Sequence, residues 1–308
     1  MAVPGYQEFM LPLLRFVGDG SEHTLPEALS AVGHELMISE QDQEMMLPSG
    51  AQTRYKNRVS WALTYLTKSL LLEKTGRGRF KIAPRGVQVL QSKPARIDNA
   101  FLEQFPEYQA FKTKKRVKSG AIESDDEGTT ADANPDITPD EQLEVAYKEL
   151  RETLADELLT RVRKVSPKFF EQLVVDVLVS MGYGGSRLDA AQVVGKSGDG
   201  GIDGVIKEDR LGLDMVYVQA KRHEADVGPG AIREFVGSLG EHRATKGVFI
   251  TCGGFTSGAR DAAAKAHFRI VLIDGEQLAE FMIDHGVGVA AHKTYTVKKL
   301  DSDYFEDL

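Results

Sequence analysis

Residues 201–221 read GIDGVIKEDRLGLDMVYVQAK, and the order of residue types in this stretch sets the fold of the second half of the chain. Two β-prone runs, 201–206 and 215–221, flank a polar, Gly-containing segment, KEDRLGLD, suited to a hairpin turn. Side chains alternate along the second run. Tyr217, Gln219 and Lys221 therefore share one face, and Val216, Val218 and Ala220 pack on the other. An antiparallel pairing brings Asp203 opposite the end that carries Gln219 and Lys221. Upstream, Ser166 and Pro167 open a helix, with Ser as N-cap and Pro at the first helical position. That helix, FFEQLVVDVLVSMG, carries Glu171 and stops at Gly182. Downstream, KGVFIT (246–251) and RIVLID (269–274) read as further strands. Helices fall near 230–239, 257–267 and 275–284, the last capped by Asp274. Strands parted by helices predict an α/β domain with a mixed central sheet.

Glu171, Asp203, Gln219 and Lys221 are the catalytic candidates. Phosphodiester hydrolysis develops charge on a non-bridging oxygen and on the leaving oxygen. A hard divalent cation stabilises both and lowers the pKa of a bound water. Mg²⁺ takes oxygen ligands, keeps several waters and needs only one or two carboxylates. Asp203 and Glu171 offer carboxylate oxygens and Gln219 an amide oxygen, so these three are the expected metal ligands. Lys221 is suited to orient the attacking water and to neutralise phosphate charge. Each residue alone has a plain alternative: a solvated helix Glu, a turn Asp, a Lys at a strand end reaching into water. Their combination after this helix is far more specific than any one of them. The Gly-rich GKSGDGGIDG lacks the Lys-Ser/Thr ending of a phosphate loop, so no nucleotide cofactor is expected.

Working outward, the 308 residues suffice for two domains. We expect a DNA-binding domain at 1–116, an acidic linker at 117–140 and the α/β domain at 141–308. The net charge of −8 hides a strong segregation. Residues 52–96 hold eleven Lys and Arg against Glu73 alone, whereas 119–157 hold thirteen acids against Lys148 and Arg151. A basic face of that kind is the electrostatic footprint of phosphate binding. The first half runs through helices, among them one started by Thr24 with Glu27 three residues on. It ends in a basic helix (52–70) and a hairpin turning at Gly76, Arg77 and Gly78. This is the order of a winged helix, in which the basic helix enters the major groove and the wing meets the backbone. Arg54, Lys56, Asn57 and Arg58 on the helix, with Arg77, Arg79 and Lys81 on the wing, are the DNA-binding candidates. Tyr55, Val59, Leu63 and Leu66 form the helix's core stripe. Trp61 lies on the other stripe with Tyr65 and is expected to pack rather than to read a base methyl. No apolar run is long enough for a membrane span, and the start lacks the layout of a signal peptide, which leads to a cytoplasmic expectation. The single cysteine, Cys252, excludes an internal disulfide and a Cys-rich zinc site.

The segments FEQLVVDVLVSMGYGG, GDGGIDGVI, VYVQAKR and KGVFITCGGFTSGARDAA together resemble the catalytic domain of the Mrr-type restriction endonucleases. YKNRVSWAL and GRGRFKIAPRG resemble that family's N-terminal winged helix. The resemblance covers nearly the whole chain apart from the linker. It implies a restriction-endonuclease-like PD-(D/E)xK fold acting on methylated foreign double-stranded DNA with Mg²⁺. The nuclease motif falls on Asp203, Gln219 and Lys221, with Glu171 as the helix acid. Gln219 stands where the wider class has an acid, which removes one negative charge at the metal. Cutting both strands needs two sites, so a homodimer or homotetramer is expected, with the amphipathic helix near 141–162 as a candidate contact. Two other functions fit the residues: a catalytically silent winged-helix regulator, and a structure-specific repair or junction nuclease.

Overall fold

The computed structural model describes residues 3–118, 136–184, 201–208, 213–298, 300 and 304. Most of the expected acidic linker and the Gly-rich residues before Gly201 lie outside these. The chain forms two compact units, one within Met1–Lys148 and one within Glu149–Lys298.

In the first unit the helices are α1 (Met10–Phe16), α2 (Leu25–Glu35), α3 (Glu40–Glu44), α4 (Arg54–Lys68), α5 (Pro84–Gln91), α6 (Asn99–Leu102) and α7 (Pro106–Lys118). Strands β1 (His23–Thr24), β2 (Leu72–Gly76) and β3 (Arg79–Ile82) form an antiparallel sheet in the order β1-β3-β2. Thr24 and Glu27 start α2 as expected, with the Glu27 carboxylate accepting from the Thr24 backbone N–H at 2.7 Å. Thr53 caps α4, its hydroxyl accepting from the Lys56 backbone N–H at 3.2 Å. Tyr55, Val59 and Leu66 are buried and Leu63 packs against the same core. The β2–β3 turn holds Gly78 at φ +64°, a left-handed conformation that glycine takes without strain. Pro84 ends β3 and occupies the first turn of α5, a helix the sequence reading did not separate from the wing. The two-residue β1 was also not anticipated.

The helix α8 (Pro139–Val162) begins with Thr138 as N-cap, and Glu141 closes a capping box on it. Thr138 and Glu141 are buried. The split between the compact units falls inside α8, between Lys148 and Glu149, and residues 138–141 pack into the first unit.

The second unit contains the rest of α8, then α9 (Pro167–Ser180), β4 (Gly204–Lys207), β5 (Met215–Lys221), α10 (Pro229–Glu241), β6 (Lys246–Thr251), α11 (Ser257–Ala264), β7 (Arg269–Ile273) and α12 (Gly275–Asp284). The sheet order is β4-β5-β6-β7. β4 and β5 are antiparallel, and β5, β6 and β7 are parallel, which makes the mixed sheet expected from the sequence. One sheet face packs Val218, Ile250 and Ile273 against α8, α9 and α12 through Leu158, Val174 and Leu278. The opposite face packs Phe249 against α10 and α11, with Phe235 at 5.6 Å between ring centroids. The result is three layers, helix–sheet–helix, and the two faces follow the period-2 alternation of β5. Ser166 and Asp274 cap α9 and α12, as read from the sequence.

Candidate functional site

The hairpin register Gly204↔Val218 sets Asp203 beside Gln219, one step past the last β4 pair. At that step β4 has left the ladder, and the backbone N–H of Ala220 would have no strand partner. Asp203 supplies one: its Oδ2 accepts from Ala220 N at 2.7 Å, and its own N–H donates to Val218 O at 2.9 Å. The carboxylate is thus fixed at the end of the β4–β5 pairing, and among the described residues Oδ1 has no hydrogen-bond partner. Burial pushes the Asp203 carboxyl above the usual carboxylate range, against the opposing pull of the Ala220 N–H and of Lys221. Glu171, in the second turn of α9, is pushed up as well, first by burial and then by the charge of Asp203. The two carboxylates therefore sense each other across the α9–β5 junction.

Gln219 is only 6% exposed, and its Oε1 is buried without a hydrogen-bond partner. An orphaned buried amide oxygen is costly unless a ligand meets it. Gly201 gives this side chain its room. A Cβ there would lie 3.0 Å from Gln219 Nε2, and the backbone holds φ +92°. Gly201 is a positioning residue that the sequence reading passed over; its place in a Gly-Gly pair just before Ile202 and Asp203 was the available signal. Lys221 projects on the same side as Gln219 and Tyr217, as alternation requires, and its Nζ lies 5.9 Å from the Phe249 ring centroid. Asp203, Gln219 and Lys221 are thus placed together by a single hairpin, and Glu171 on α9 is near enough to Asp203 to feel its charge.

Two carboxylates and an orphaned amide oxygen form an all-oxygen donor set, the chemistry a hard divalent cation prefers. Among the described residues no three His, Cys, Asp or Glu cluster as a metal site. The amide oxygen of Gln219 is a further oxygen donor outside those residue types.

The DNA-binding candidates divide differently. Lys56 is exposed on α4. On the wing, Arg77 is exposed, Arg79 lies 3.6 Å from Glu22, and Lys81 pairs with Glu73 at 3.1 Å. Asn57 and Arg58 do not lie on an open face. Asn57 is 1% exposed and holds Asp140 Oδ2 at 2.6 Å through its amide nitrogen. Arg58 clamps the Glu141 carboxylate, with Nη2 to Oε1 at 2.9 Å, and donates to the Val3 and Pro4 carbonyls. Arg54 reaches the same carboxylate at 3.4 Å. Trp61 packs against the core and donates to Asp140 at 3.2 Å, in line with the packing reading. The acidic start of α8 therefore occupies part of the α4 face expected to meet DNA. Charge segregation along the sequence leads to the expectation that the acidic linker sits on the basic winged helix, but it does not name the partners, which lie about 80 residues apart.

Comparison with known proteins agrees with this architecture. A family model described as "Restriction endonuclease" matches residues 162–282, and one described as "Mrr N-terminal domain" matches residues 6–92. A type IV methyl-directed restriction enzyme of Escherichia coli (strain K12), EcoKMrr, is 39% identical over 311 residues, covering 99% of this chain and 100% of its own. Among solved structures, the MspJI restriction endonuclease in complex with a 27-mer oligonucleotide aligns over 69% of this chain and 51% of its own, at 17% identity and a TM-score of 0.28. On the two domain matches and the full-length relative, the chain belongs to the Mrr family of restriction endonucleases and is a DNA endonuclease.

Proposed function

We propose that the protein cleaves methylated double-stranded DNA in a Mg²⁺-dependent reaction at the β5 edge, with Glu171, Asp203, Gln219 and Lys221 as the working residues. The observation that carries this reading is the orphaned, buried Oε1 of Gln219, next to Asp203 in the hairpin register, together with the Asp203 and Glu171 carboxyls, which are both pushed up. A bound Mg²⁺ would supply charge to the phosphate oxygens and lower the pKa of a water. Asp203 Oδ1, Gln219 Oε1 and a Glu171 oxygen would hold it. Asp203 keeps its orientation because Oδ2 is spent on Ala220 N–H. Lys221, on the same face of β5 as Gln219, orients the attacking water and meets the negative charge that builds on the phosphate. Phe249 beneath its ammonium limits the directions the side chain can take. Lys56 and the wing residues Arg77, Arg79 and Lys81 supply phosphate contacts that position the duplex. Methylation dependence follows from the likeness to EcoKMrr, a methyl-directed enzyme.

The test is cleavage of matched methylated and unmethylated plasmids with Mg²⁺ by wild type and by Asp203→Asn. Cutting of the methylated plasmid by wild type alone supports the whole reading. Equal cutting by both proteins removes Asp203 from the site. Equal cutting of both plasmids by wild type removes the methylation requirement and favours a structure-specific nuclease.

A further inference from the structure

Arg222 follows Lys221 at the end of β5, so its side chain leaves on the opposite face, toward α8 and α9. There its Nη1 donates to the backbone carbonyl of Arg163, the residue after the end of α8. Arg163 Nη2 in turn reaches the carbonyl of Cys252, just past β6, at 3.5 Å. Both guanidinium groups lie close enough to the Cys252 thiol to favour its thiolate, although burial still holds that thiol up to about 11. The two cations are therefore gathered around one point at the carboxyl end of the parallel strands.

Nothing among the described residues neutralises them. Neither arginine makes an ion pair among the described residues, and the Nε of each is buried without a partner. Glu224 is the carboxylate felt at Cys252, but it pairs with neither. Two like charges held together and partly desolvated repel, and orphaned guanidinium donors add a desolvation cost. A structural role would be met more cheaply by uncharged donors to the same two carbonyls. An anion that meets the remaining Nη atoms of both arginines would offset the repulsion. The N-terminus of α9 begins four residues after Arg163 and adds a favourable dipole.

We propose that Arg163 and Arg222 form a binding site for a phosphodiester of the DNA backbone, distinct from the one cleaved beside Lys221. The pair holds a neighbouring phosphate and so sets the register of the duplex along the β5 edge. The inference rests on the endonuclease reading of that edge.

The experiment is equilibrium binding of a labelled duplex, with Ca²⁺ in place of Mg²⁺, over a series of salt concentrations. Full-length wild type is compared with Arg222→Gln, Arg222→Lys and Arg163→Gln/Arg222→Gln. The double variant should bind more weakly on methylated and unmethylated duplexes alike. Its salt slope should fall by about one, the loss of one phosphate contact. Arg222→Lys keeps the charge and should keep most of the slope. An unchanged slope in the double variant overturns the proposal, whether or not its thermal midpoint drops, because a purely structural pair would change stability alone. Should the double variant fail to fold, Arg222→Gln carries the same reading, and a wild-type slope there is equally fatal. Failure of the catalytic assignment is read separately, as cleavage by Asp203→Asn, and leaves this binding result standing.

Discussion

At the scale of single residues, the β5 edge is defined by two kinds of stress: carboxyls raised by burial and an amide oxygen left without a partner. Asp203 illustrates the consequence. Its folded-state pKa is raised, so above that value the native protein carries a buried charge that the unfolded chain would hydrate. Ionisation of Asp203 therefore costs stability at neutral pH. The cost fades as pH falls through the folded pKa and is gone below the ordinary carboxylate range. Asp203→Asn keeps the acceptor for Ala220 N–H, removes that charge, and relieves Glu171 as well. In metal-free buffer its thermal midpoint should exceed that of wild type at neutral pH, and the two should converge on acidification. Added Mg²⁺ should raise the midpoint of wild type and not of the variant. A variant less stable than wild type at neutral pH would show that Asp203 serves mainly as a strand cap. Lys221→Ala should lose on the order of a hundred- to a thousandfold in kcat, the typical cost of one group aimed at transition-state charge. Single-turnover cleavage at saturating DNA measures it. The placement of Asp203, Gln219 and Lys221 on one hairpin was legible in the sequence because strand alternation and a hairpin are local rules. Gly201, Arg163 and Arg222 were not singled out, because their roles depend on what the fold brings beside them.

At the scale of elements, the strands and helices of the second unit were readable in type and order, with β4 starting at Gly204 rather than 201 and α11 ending at Ala264 rather than 267. Their hydrophobic period, Ser166-Pro167 and Asp274 all pointed the same way. The first unit was less legible. The short α5 and β1 lack enough residues to show a period. The more instructive gap is α4. Its sequence announces a free basic face, yet Asn57, Arg58 and Trp61 are engaged by Asp140 and Glu141, a long-range pairing no local pattern encodes. The Arg58–Glu141 pair is well shielded, with side chains 11% and 8% exposed. Removing one partner of such a pair leaves the other charge buried and costs about 3 kcal/mol. Glu141→Gln should therefore lower the stability of the first unit by roughly that amount in urea unfolding. It also loses the charge that completes the Thr138 capping box. A change within experimental error would mean that Arg58 is held well enough by the Val3 and Pro4 carbonyls alone.

At the scale of the whole molecule, one chain carries one β5 edge, whereas cutting a duplex through needs two. The long helix α8 is the candidate contact for a second copy. Leu143, Tyr147, Leu150 and Leu154 recur at spacings of four, three and four, the seam of two packed helices. All four are open to solvent, Leu150 at 72%. The side of α8 that packs into the second unit is a different one, carrying Ala155, Leu158 and Val162. The exposed stripe is therefore not part of the core that folds the chain, and exposed apolar stripes of this regularity mark association surfaces. We propose that two copies pair through it. Leu150→Glu places a charge at the middle of the seam without touching either core, so the fold should persist. Sedimentation at micromolar concentration should find wild type as a dimer or larger and the variant as a monomer. On supercoiled methylated plasmid the variant should then yield nicked circles where wild type yields linear product, since an isolated site cuts one strand per encounter. A variant that still sediments as a dimer would clear α8 of this role. A monomeric variant that still linearises plasmid in one step would show that the second strand is reached without a second copy.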